Sequence, residues 1–161
     1  MADHIKTDLK NWFDGAKKTV LAGIGNPIRT DDYVGLKIIR DLEGKLPETV
    51  LLLETETVPE SYLLDIEKFK PTHVLLIDAA FLGLSPGEAS ILNPENVADY
   101  SAISTHLLPL RIFCEYIKQT TGAKIALLLI EPKSMEFGEG LNVEVRAAAE
   151  KYAIILAELL G

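Results

Sequence analysis

Leu21-Ala22-Gly23-Ile24-Gly25-Asn26-Pro27-Ile28-Arg29-Thr30-Asp31-Asp32-Tyr33-Val34-Gly35 decides how the rest of this chain is read. The apolar run Thr19–Ala22 stops at two glycines, and a loop with a proline, an arginine and two adjacent aspartates follows. Val34, Leu36, Ile38, Ile39 and Leu42 then fall at helical spacing. Strand, tight glycine turn and helix start are the parts from which an open α/β sheet builds the crevice at the carboxyl ends of its strands. Such a crevice accepts a dinucleotide, a phosphate or a metal ion, so the wording of the loop has to choose.

The dinucleotide reading fails on one position. Gly23 and Gly25 supply two glycines of the fingerprint, but the third falls at Ile28, after Pro27, where close helix–strand contact needs glycine. Glu54 could pose as the ribose-binding acid, yet Asp31 and Asp32 stand where a pyrophosphate would lie. The chain has no Gly-Lys-Ser/Thr phosphate loop and no Gly-x-Ser-x-Gly elbow.

Working outward, the pattern alternates. Ile5, Leu9, Trp12 and Phe13 predict a short amphipathic helix over residues 4–15, within an N-terminal extension of residues 1–18. Strands are expected at Thr19–Ala22, Thr49–Leu53, His73–Ile77, Glu88–Leu92 and residues 123–130, with helices over Asp32–Leu46, from Pro59 towards Pro71, over 106–120, and after Asn142 as N-cap. The segment between the third and fourth strands is too short for a crossover helix, so the fourth strand should lie antiparallel at an edge. The expectation is one domain over residues 1–161: a three-layer α/β/α sandwich around a mostly parallel five-stranded sheet with one antiparallel edge strand.

Composition narrows the function. The 161 residues carry 24 Asp and Glu against 16 Lys and Arg, a net charge of −8, which argues against a nucleic acid as partner. The single cysteine, Cys114, forbids an internal disulfide and a Cys-rich zinc framework. It shares a helical stripe with Leu107, Leu110 and Ile117, which predicts a buried, inert thiol. No apolar run reaches the length of a membrane span and the N-terminus lacks a signal-peptide layout, so a cytoplasmic monomer with no membrane partner is expected.

The chemistry-bearing residues gather at expected strand ends. Asp31 and Asp32 follow the first strand, Asp78 ends the third, and His106 follows the loop Ser101–Thr105. In a parallel sheet all can converge on one edge of the crevice. Two carboxylates and one imidazole suit a divalent transition metal with open positions. Plainer roles stay open: either aspartate can cap the following helix, Asp78 can hydrogen-bond its loop, and His106 can be an ordinary helix-start residue.

The glycine–aspartate stretch resembles the N-terminal signature of the hydrogenase maturation endopeptidases, which trim the C-terminal extension from the large subunit of nickel–iron hydrogenases. Asp78-Ala79 after an apolar strand, Ser104-Thr105-His106 leading into a helix, and Ile130-Glu131-Pro132 leading to Gly140-Leu141 follow in the family's order, covering residues 19–160. The resemblance implies that Asp32, Asp78 and His106 are the metal ligands and catalytic set. It also implies that the ion is nickel supplied by the substrate precursor. Asp31, and Glu56 on the loop after the second strand, are second-choice candidates for orienting ligands or water. Tyr33 departs from the small residue frequent at that place. Two alternatives remain. Peptidyl-tRNA hydrolases share the Gly-x-Gly-Asn-Pro opening, but Asp31-Asp32 and the acidic charge fit them poorly. A non-catalytic metal-sensing assembly chaperone would use the same ligands.

Overall fold

The structure, a computed structural model, describes residues 2–95 and 107–161. Five strands form one sheet in the order β2-β1-β3-β5-β4: β1 (Thr19–Ile24), β2 (Val50–Glu56), β3 (His73–Ala79), β4 (Ala89–Leu92) and β5 (Lys124–Ile130). The first three and β5 run parallel, and β4 pairs antiparallel with β5 at the edge, as its short connection requires. Every residue of β3 is buried. A central parallel strand is covered on both faces, which is why it reads as a continuous apolar run rather than an alternating one.

Alternate residues of the strands sort into two cores. Leu21, Leu75, Ile77, Leu128 and Ile130 face helices α1 (Ala2–Trp12), α2 (Val34–Leu42) and α5 (Val143–Leu160). Val20, Ala22, Val74, Leu76, Leu127 and Leu129 face α3 (Leu63–Phe69) and α4 (Leu107–Thr121). These are the two outer layers of the sandwich. Each fully buried leucine or isoleucine here contributes about 1.5–3 kcal/mol from desolvation. Cys114 lies in the second core, 2 % exposed, as expected.

The helix after β1 starts later than its periodicity predicts. Residues Thr30–Tyr33 form a 3-10 turn, α2 proper begins at Val34, and it ends at Leu42 rather than Leu46. Gly44, at φ +76°, supplies the left-handed turn that stops it. Neither aspartate caps α2: Tyr33 occupies the cap position without a side-chain bond. Pro59 likewise opens a 3-10 turn, Pro59–Tyr62, ahead of α3, and Lys70 at φ +55° ends that helix.

Helix α2 rests directly on the sheet backbone. A Cβ on Gly35 would stand 2.3 Å from the Ile77 carbonyl and 2.7 Å from that of Ile24, and one on Gly23 would stand 2.4 Å from the Gly35 carbonyl. The close helix–strand contact that a dinucleotide fold makes at its third glycine is made here at Gly35. Helix α1 lays Ile5 and Leu9 into the first core, Phe13 just past its end joins them, and Trp12 meets His73 edge-on at 5.1 Å. Among the described residues no helix is long and apolar enough to cross a membrane.

Candidate active site

Asp32 sits in the 3-10 turn after β1 and is 2 % exposed. Its Oδ2 accepts the Asn26 N–H at 2.9 Å, so the loop folds back on its own carboxylate. Gly25 makes that possible. Its φ is +151°, and a Cβ there would lie 1.8 Å from the Asp32 carbonyl oxygen. The Gly25 N–H in turn donates to the Glu56 carbonyl at 2.9 Å, where the β1–β2 register shifts between Gly23 and Ile24.

Asp78 is the penultimate residue of β3, fully buried, with Oδ1 accepting the Ala79 N–H at 2.8 Å. Strand β3 neighbours β1, and the turn carrying Asp32 packs against β3. Two buried carboxylates therefore belong to adjacent strand ends on the carboxyl edge of the sheet. His106, the third expected ligand, lies outside the described residues, as does the Ser101–Thr105 loop before it. Among the described residues no group of three His, Cys, Asp or Glu side chains is placed to hold an ion.

The other acids have different work. Asp31 is fully buried and points into the segment after β5. Its Oδ2 accepts the N–H groups of Lys133 at 2.8 Å and Ser134 at 3.0 Å and the Asn142 side-chain amide at 2.8 Å, while Oδ1 accepts the Asn142 N–H at 2.7 Å. Asn142 is the N-cap of α5 by position, but its side chain makes no cap bond and serves Asp31 instead. Glu56 is exposed, in a left-handed conformation at φ +52°. Glu54 is held by Arg40, whose Nε donates to it at 2.5 Å while Nη1 donates to the Tyr33 hydroxyl at 2.7 Å. Tyr33 thus finds its place in a surface network.

Sequence reasoning gave no role to Glu131. It is 5 % exposed, and its Oε1 accepts the N–H groups of Leu82 at 2.6 Å and Leu84 at 3.2 Å, pinning the loop after β3. The signal was available: like Asp78, it is a carboxylate that follows an unbroken apolar strand. Burial pushes the Cys114 thiol up to about 12, which removes it as a thiolate nucleophile.

This fold and this loop have known relatives. Residues 36–158 match the family model of the hydrogenase maturation protease HycI. The chain belongs to the hydrogenase maturation protease family. It is 37 % identical to the NiFe hydrogenase maturation protease HycI of Thermococcus kodakarensis, over 95 % of this chain and 98 % of that one, with a TM-score of 0.88. The Escherichia coli hydrogenase maturating endopeptidase HybD superposes with a TM-score of 0.73 at 30 % identity, covering 88 % and 91 % of the two chains. The hydrogenase 3 maturation protease of Escherichia coli K12 is 27 % identical over 81 % of this chain and 83 % of its own. The family's role is C-terminal processing of the hydrogenase large subunit. In this family member, the glycine loop, the 3-10 turn and the end of β3 make the carboxyl-edge crevice the candidate active site.

Proposed function

We propose that this protease removes the C-terminal extension from the large-subunit precursor of a nickel–iron hydrogenase, after nickel insertion, by hydrolysing one peptide bond. The observation that supports it most is the pair of buried carboxylates, Asp32 and Asp78, on adjacent strand ends in a family of endopeptidases. Carboxylate oxygens and an imidazole nitrogen suit a divalent transition ion, so the donor set fits one, with Asp32, Asp78 and His106 as the residues that would hold it. Such an ion, when bound, polarises a carbonyl or lowers the pKa of a water.

The chain's own part is positioning. The Asn26 N–H fixes Asp32 and the Ala79 N–H fixes Asp78, so both carboxylates are oriented before a substrate arrives. Two carboxylates and one imidazole leave coordination positions for donors from the substrate. Nickel already carried by the precursor is then the recognition handle, and the protease, a cytoplasmic monomer, reads it. Incubating metal-stripped protein with nickel-loaded and nickel-free precursor, and comparing intact masses, tests this. Only the loaded form should lose its extension. Equal cleavage of both forms with chelator present overturns the nickel handle, and cleavage of neither overturns the substrate.

A further inference from the structure

The segment joining β5 to α5 is tied to the loop after β1 along most of its length. Since β3 lies between β1 and β5, this strap spans the end of β3, where Asp78 sits. The Gly138 N–H donates to the Ile28 carbonyl at 2.9 Å and the Thr30 N–H to the Gly138 carbonyl at 3.0 Å. The Thr30 hydroxyl lies 2.8 Å from the Ser134 carbonyl and 3.1 Å from that of Glu136, and Arg29 Nε donates to the Met135 carbonyl at 3.1 Å. Thr30 holds a left-handed φ of +45° to do so. Strained backbone of this kind persists only where its surroundings over-determine it.

This heavily bonded scaffold presents two apolar side chains to water. Phe137 is 80 % exposed and Ile28 51 % exposed, and the backbone bridge between Arg29 and Gly138 puts the two at neighbouring register positions. The Arg29 guanidinium lies against the Phe137 ring, 5.4 Å from its centre. Neither residue supports a core of this molecule. A rigid backbone behind exposed apolar groups lowers the ordering cost of docking.

We infer that Ile28 and Phe137 are specificity-determining residues that seat an apolar side chain of the precursor polypeptide next to the crevice. The inference rests on the proposed function, which supplies a protein substrate. Ile28 belongs to the same short loop as Asn26, whose N–H holds Asp32, so what docks on it meets the loop that fixes one of the candidate carboxylates. Glu136 and Glu139, both exposed, flank Phe137 and outnumber the single Arg29 guanidinium on its ring, so the docked segment is neutral or basic around its apolar residue.

The test uses the Ile28→Ser/Phe137→Ser double variant of the full chain, with nickel-free precursor, which the proposed function leaves uncleaved, as the binding probe and nickel-loaded precursor for turnover. With nickel-free precursor the double change should weaken calorimetric binding about tenfold or more. With nickel-loaded precursor KM should rise by a similar factor, with the loss falling on KM rather than kcat, and Phe137→Leu should restore most of it. Unchanged binding and KM overturn the inference, as does a loss confined to kcat, which would report a disturbed loop. If the wild type cleaves no precursor, the proposed function fails, and the binding comparison still decides the docking role.

Discussion

Asp31 and Asn142 stand 111 positions apart in the chain and are bonded twice, Oδ1 to the backbone N–H at 2.7 Å and Oδ2 to the side-chain amide at 2.8 Å. With Lys133 and Ser134 also donating to Asp31, one carboxylate holds both ends of the strap that spans the carboxyl edge. Its neighbour Asp32 faces the glycine loop instead. Adjacent aspartates thus divide the work: one builds the strap and the other holds the glycine loop.

Removing the builder should cost stability. Asp31→Ala leaves four part-buried donors without their acceptor, so we expect a loss of about 3–5 kcal/mol in denaturant unfolding, well beyond a lost helix cap. A change below about 1 kcal/mol would mean that water replaces the carboxylate at little cost.

Removing either carboxylate of the proposed ligand set should spare the fold and stop the chemistry. Asp32→Asn and Asp78→Asn keep the side-chain volume and should give a native circular dichroism spectrum. Precursor processing, followed by intact mass, should fall more than about a hundredfold, the upper range for losing a group that merely supports a ligand. His106→Ala should behave alike. Full processing by Asp32→Asn together with a dead but folded Asp31 variant would reverse the assignment of the acid pair.

The glycines are separable by what surrounds them. Alanine at Gly35 puts Cβ 2.3 Å from the Ile77 carbonyl, and at Gly25 1.8 Å from that of Asp32. Both should destabilise by about 3 kcal/mol or more, read from the thermal midpoint. Gly122→Ala meets nothing within 4 Å, and only its φ of +72° is unfavourable. A cost of about 1–2 kcal/mol is expected there.

Acid should loosen the N-terminal helix. Burial, reinforced by the nearby Lys124 ammonium, lowers the pKa of His73, which packs against Trp12. The unfolded chain therefore takes up the proton first as pH falls. The stabilisation is complete above about 6.5, the unfolded value, and is lost as pH falls through the lower folded value. Trp12 is the only tryptophan, so its fluorescence against pH reports the docking of α1. A His73→Gln variant should flatten the acid-side transition; an unaltered transition would place its cause elsewhere.

Much of this molecule was legible along the chain because its causes are local. The apolar runs at Thr19–Ala22 and His73–Ile77, the helical spacing from Val34 to Leu42, and the short link before β4 are each stated within a few residues, and together they specify the sheet order class and the antiparallel edge. Asp32 and Asp78 were legible as site candidates for the same reason: a carboxylate placed just after a buried strand is local information. So was the buried state of Cys114.

What the tertiary structure alone decided is which polar group faces which partner. Asp31 reads locally as a helix cap, but the acceptor geometry of a carboxylate is satisfied best by a segment more than a hundred positions away. The start of α2 was displaced because residues Thr30–Tyr33 must turn tightly for Asp32 to meet Asn26 and for Gly35 to reach the carbonyls of Ile24 and Ile77. Glu131 acquired its role only when β5 delivered it beneath the loop after β3. Periodicity follows from backbone geometry and can be read in sequence; hydrogen-bond partnership in a buried crevice depends on distances between strand ends, and those exist only once the sheet has formed.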